Sequence, residues 1–152
     1  MNKLKYIPGD LVMTNGVPLG TAKDVVYRVT SSDPSKTLKL DDGTVLKGVV
    51  CLENIEGAEF GDKGYLLGDC GAWVKDIIPI PLVPAILEKN GWKVSLESTW
   101  IYEKEDSVKI LRLLDDKHYA AYIGDVRLLE FQYTHELQHL LFGFGINHEM
   151  EV

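Results

Sequence analysis

The sequence predicts an α+β protein in two parts: a small antiparallel β unit over residues 1–76, and a unit over 77–152 in which an antiparallel β-meander is flanked by two helices. Three observations predict it. Short runs rich in β-branched and aromatic residues recur through the first half at intervals of about 8–12 residues, separated by turn residues. A proline-rich stretch, IIPIPLVPAIL, interrupts that pattern at 77–87. From about Thr134 the apolar spacing becomes helical.

The elements follow in order. IPGDLVMT sets a Pro-Gly-Asp turn before a short apolar strand, and AKDVVYRVT alternates Val25, Tyr27 and Val29. TLKLDDGTVLKGVV reads as two strands around Asp42-Gly43, a dipeptide suited to a tight hairpin. In YLLGDCGAWV a Gly-Asp turn is expected to join Tyr65-Leu66-Leu67 to Ala72-Trp73-Val74. Strands so short and so regularly punctuated suggest a closed or nearly closed sheet, an SH3-like barrel.

Pro79 and Pro81 hold the next segment extended, and Pro84 suits the first turn of a helix of two to three turns. Leu82/Ile86 and Val83/Leu87 have the spacing of a buried face, and Asn90-Gly91 is a stop signal. Pro81-Leu82-Val83-Pro84 also spells P-x-x-P, which reads better as a linker than as a polyproline ligand. WKVSLES, WIYEKED, SVKILRLL and HYAAYIG then form the meander, separated by EKED, DDK and GD. The closing helix begins at about Thr134, a suitable N-cap.

Composition limits the function classes. The 152 residues are 45% hydrophobic and 26% charged, as in an ordinary folded domain. The start, MNKLKYIPGD, has no apolar stretch of the kind a secretory signal needs, and IIPIPLVPAIL is shorter than the roughly 20 residues of a membrane helix. The expectation is a cytoplasmic protein without membrane association. Two cysteines, Cys51 and Cys70, make no disulfide framework there. Of the net charge of −7, residues 76–152 carry −6, with 7 Lys and Arg against 13 Asp and Glu. Such a surface repels a phosphate backbone, so nucleic acid is not an expected partner.

One segment carries a chemical motif. In YTHELQHLLFGFG, His135, Glu136 and His139 spell the zinc-peptidase pattern H-E-x-x-H, in which two imidazoles one helical turn apart hold the metal and the glutamate activates water. A helical wheel puts Tyr133, Leu137, Leu140, Leu141 and Phe144 in one stripe and both histidines on the opposite, polar side. Catalysis requires a third protein donor. The extended motif would need Gly at 142 and His at 145, where the chain has Phe142 and Gly145. His118, His148, Glu149 and Glu151 are the remaining candidates. Without a clear third ligand the sequence predicts no cofactor, the alternative being a zinc-dependent hydrolase with His135 and His139 as ligands and Glu136 as base. A nucleophile at Cys70, within Gly-Asp-Cys-Gly, is less favoured than a buried thiol, because no histidine precedes residue 118.

Three segments, YIPGDLV, IPIPLVPAILEKNGW and YTHELQHLLFGFGINHEMEV, together resemble a family of small proteins encoded by anaerobic gut bacteria and their prophages. The family's closing segment is similar to V-H-Q-L-Q-N-L-Y-F-A-L-T-G-x-E-L. His135, Leu137, Gln138, Leu140 and Phe142 match it. Glu136 stands where the family has Gln, and His139 where it has Asn. The resemblance therefore implies a helix built without metal chemistry, and it brings no established activity with it. The resulting expectation is a non-catalytic accessory protein of prophage or mobile-element type, acting on a protein partner or by self-association. Its expected contact surface is the polar face of the last helix: His135, Gln138, His139 and Phe142.

Overall fold

A computed structural model describes residues 5–55, 59–105 and 108–152. The first residues of MNKLKYIPGD and the Asp106–Ser107 junction between two expected strands lie outside them. The chain divides into two compact units, Met1–Ile80 and Pro81–Val152, each containing one five-stranded antiparallel sheet. The architecture is α+β, mostly β with two helices.

In the first unit the strands are β1 (Leu11–Thr14), β2 (Tyr27–Lys39), β3 (Val45–Asn54), β4 (Cys70–Trp73) and β5 (Ile77–Pro79), in the order β4-β3-β2-β1-β5. A single 3-10 turn, Val74–Asp76, separates the last two. Alternation builds the core: on β3, Leu46, Val50 and Leu52 are buried while Val45 and Lys47 face out. Tyr6, Val12, Tyr27, Val29, Leu66, Ala72 and Ile77 join Val50 and Leu52 in one apolar cluster. No closed barrel is found among the described residues, where a closed or nearly closed one was expected. β4 and β5 are the two edges of the sheet, and among the described residues no pairing joins them.

Several local expectations change for identifiable reasons. The unit extends through Ile80 rather than 76 because Ile77–Pro79 pairs with β1, Pro79 lying opposite Val12. That places a proline on an edge strand, where its missing N–H disrupts no ladder. The hairpin at Asp42-Gly43 forms, with Gly43 at φ +90° and Leu40 N–H donating to Thr44 O. β2 is much longer than its apolar alternation suggested, continuing through Pro34 with an irregularity between Asp33 and Thr37. Tyr65-Leu66-Leu67 is not a strand. The Asn54 side chain brackets the Leu66 backbone, donating to its carbonyl at 2.6 Å and accepting from its N–H at 3.0 Å, and so occupies the groups a ladder would need.

In the second unit α1 (Pro84–Lys89) has Pro84 in its first turn and ends at Asn90 and the left-handed Gly91. It is shorter than expected. Leu82, Ile86 and Leu87 are buried, but Val83 is the exposed N-cap. The meander is β6 (Lys93–Val94), β7 (Ile101–Glu103), β8 (Val108–Arg112), β9 (Tyr119–Ile123) and β10 (Val126–Phe131), in the order β10-β9-β8-β7-β6. β10, beyond Gly124-Asp125, is a strand that sequence reading did not separate. Its inward residues include Phe131, stacked on Tyr119 at 6.1 Å. α2 (Thr134–Gly143) follows, its N-cap being Tyr133 rather than Thr134.

Two outcomes follow. A Cβ at Gly64 would collide with the Tyr27 hydroxyl and press on Ala22 and Val25 at 3.1 Å, and Gly64 has φ +74°. Gly64→Ala is therefore expected to cost about 2–4 kcal/mol in denaturant unfolding, combining overpacking with backbone strain. In the β8–β9 turn, Asp115 accepts from the backbone N–H groups of His118 and Lys117 and pairs with the His118 ring, and these bonds lower its pKa to about 2. Since the folded value is depressed, its contribution is present above the unfolded value near ~3.9 and is lost as pH falls through about 2. Carboxyl titration by NMR should place Asp115 below the other exposed aspartates, and Asp115→Asn should flatten stability against pH between those two values.

Candidate functional site

The motif residues sit on α2. Glu136 Oε1 accepts from the backbone N–H of Tyr133 at 3.1 Å and of Gln132 at 3.3 Å, holding the start of the helix as the far half of a capping box. A base would have to leave that position. His135 is buried, contrary to the polar side on which the wheel placed it, and stacks on Tyr133 at 6.0 Å. Its ring meets that of His139 edge to face at 5.4 Å. His118 is engaged with Asp115 in the β8–β9 turn, and among the described residues no three His, Cys, Asp or Glu side chains converge to hold an ion. Gly145, where the extended zinc motif requires its third histidine, has φ +68° and terminates the helix: Gly145 N–H donates to Phe142 O and Ile146 N–H to Leu141 O, a Schellman stop.

The expected contact face is divided rather than continuous. Gln138 is fully buried and donates to His148 O at 3.0 Å, so the chain's own tail lies over it. Phe142 is 58% exposed, and its ring meets His148 at 5.1 Å. Further along the tail, the Asn90 side chain exchanges two hydrogen bonds with the Glu151 backbone, and Lys89 Nζ donates to Val152 O. The wheel missed these contacts because it treats a helix as having only a core side and a solvent side. His139 alone of the four lines an open groove, about 480 Å³, with Leu129 of β10, Glu136, Leu140 and Gly143 of α2, and the C-cap Phe144.

The first unit carries a groove that the sequence reading did not identify. Its β1–β2 loop and the loop leading into β4 flank a groove of about 380 Å³, lined by Leu19, Gly20, Tyr65, Leu67, Asp69 and Cys70 among others. Leu19 and Leu67 are 92% and 89% exposed. Both loops are fixed from beneath by Tyr27, whose hydroxyl accepts from Ala22 N–H at 2.9 Å and donates to Gly64 O at 2.8 Å. Asn15 ties the first loop to the buried Asp76, which also meets Lys75 Nζ at 2.8 Å. Burial works to raise the Asp76 carboxyl, but the hydrogen bonds from Lys75 and Asn15 outweigh it and hold it below its ordinary value. Cys70 Sγ donates to Leu19 O at 3.1 Å, and burial pushes its thiol upward, the opposite of an activated nucleophile. The signal in the sequence was apolar leucines placed beside turn glycines, in VPLGT and LLGDC.

Comparison with known proteins returned no match among family models, curated proteins or solved structures.

The capping role makes a prediction that separates it from catalysis. Glu136→Ala should destabilise the protein by about 0.5–2 kcal/mol in thermal or denaturant unfolding, the usual loss for a helix cap. His139→Asn should leave the zinc content of purified protein unchanged.

Proposed function

We propose that the chain is a non-catalytic accessory protein that binds a protein partner, with the first unit as an SH3-like docking module and its two-loop face as the contact surface. The observation that carries this reading is the exposure of Leu19 and Leu67 on loops that part-buried hydrogen bonds hold in place. Isolated exposed leucines are ordinary, but two nearly bare ones on fixed loops beside a groove favour an apolar contact whose ordering cost is already met. Support for the SH3-like assignment comes from the strand order β4-β3-β2-β1-β5 and from the 3-10 turn between β4 and β5.

The resemblance of IPIPLVPAILEKNGW and of the closing helix to prophage-encoded proteins extends the proposal to a mobile-element setting. A cytoplasmic location fits two free cysteines and the finding that no helix among the described residues is long and apolar enough to cross a membrane.

Affinity capture from the source cells, paired with sedimentation velocity, tests the proposal. Leu19→Asp with Leu67→Asp should abolish capture of the partner, or dissociate an oligomer if the partner is a second copy. Unfolding should shift by no more than about 0.5 kcal/mol per site, as is usual for surface changes. A wild-type chain that is monomeric and captures nothing, or a complex indifferent to both substitutions, would overturn it.

A further inference from the structure

We propose that the groove between β10 and α2 takes a short, extended, basic peptide segment, which adds to the outer edge of β10 and places a cationic side chain at the C-terminal end of α2. This is a second surface, on the other unit, and it stands without the loop face proposed above.

Four features point to that occupant. First, β10 is an edge of its sheet, and five of its six residues are not buried. An edge strand turns alternate backbone N–H and C=O groups outward, a pattern that only another extended backbone satisfies in full. Second, the groove beside it is open and partly apolar. Leu129 and Phe144 are 37% and 47% exposed, and a Cβ built on Gly143 meets nothing within 4 Å. From Glu136 to Phe144 the helix wall rises about 12 Å, which matches roughly four residues of a strand.

Third, one end of the groove is electrically negative. The carbonyl terminus of a ten-residue helix with no basic residue in its last turn lies there, while Glu136 at the other end is taken up by the Tyr133 and Gln132 N–H groups. The helix dipole favours a cation at the carbonyl terminus. The wider unit reinforces this, residues 81–152 carrying 7 Lys and Arg against 12 Asp and Glu. Fourth, β10 discourages the competing occupant, a second copy paired edge to edge. Its register slips between Arg127 and Leu129, and Arg127 and Glu130 form an exposed ion pair at 2.9 Å. A bulge and charges of this kind twist and guard an edge against long flat pairing, while leaving room for a short strand.

The test uses the full chain at physiological ionic strength with two labelled ten-residue peptides, one alternating Lys and Val and the other alternating Glu and Val. Fluorescence anisotropy should show binding of the Lys/Val peptide and not of the Glu/Val peptide. Amide exchange should slow across residues 126–131 on binding. Gly143→Trp fills the groove and Phe144→Lys supplies the cation internally, and each should weaken binding by about tenfold or more, the equivalent of roughly 1.4 kcal/mol. Phe144 is half exposed, so this second variant keeps the test valid if the first fails to fold. Failure of the Lys/Val peptide to bind, equal binding of both peptides, protection elsewhere than β10, or affinity unchanged in Phe144→Lys would overturn the proposal. None of these results depends on Leu19 or Leu67, so this surface and the loop face fail separately.

Discussion

A single phenolic hydroxyl holds the upper face of the first unit together. Tyr27 begins β2 with its ring fully buried among Val12, Val29, Leu52 and the rest of the apolar cluster, while its hydroxyl spans two loops that have no ladder of their own. Ala22 N–H and Gly64 O would otherwise require other partners, and an unpaired buried backbone group costs about 1–3 kcal/mol. The tyrosine satisfies one in each loop at once. It also dictates the neighbouring sequence, since only a residue without a Cβ can approach the hydroxyl as Gly64 does. The Asn54 side chain performs the same service for Leu66, drawing that side chain into the core. With Leu66 turned inward, the adjacent Leu67 points to solvent. The exposure of the candidate contact residue is thus a direct result of how its neighbour is held.

The strands and helices that were legible in the sequence are those in which a local signal and tertiary packing agree. Asp42-Gly43 makes its hairpin, Pro84 opens α1 and Gly91 closes it, and the alternation on β3 sorts buried from exposed side chains. Misreadings arise where a side chain replaces a backbone partner. Tyr65-Leu66-Leu67 has strand composition, but Asn54 takes the hydrogen bonds of its middle residue. The barrel was inferred from strand spacing, which fixes how many strands there are and not whether the edge strands meet. The four-residue difference at the unit boundary has a similar origin: prolines at 79 and 81 looked like a hinge, yet an edge strand accommodates Pro79 without loss.

Less of the candidate site was legible than of the fold. A helical wheel separates apolar from polar positions, and by that measure His135 and Gln138 belonged outside. Gln138 is covered by the tail, residues 144–152, which turns back at Gly145, and His135 packs between the Tyr133 and His139 rings. The tail is held by side-chain contacts from Lys89, Asn90, Gln138 and Phe142. No periodicity in the sequence encodes such a contact.

The motif H-E-x-x-H illustrates how spacing constrains geometry without determining chemistry. Residues one helical turn apart share a face in any helix, so the pattern places His135 and His139 side by side whether or not an ion lies between them. What distinguishes the cases is where the glutamate's lone pairs go. On a catalytic helix the carboxylate must turn toward a bound water, while here Glu136 is the third residue of the helix and turns back on the chain entering it. The first turn of a helix has N–H groups in need of acceptors, and a glutamate at that position is more useful as a cap than elsewhere along the helix. Had the same five residues begun one turn later, the cap would be out of reach and the carboxylate would face outward. Position within the helix, which the motif does not specify, decides the role of its central residue.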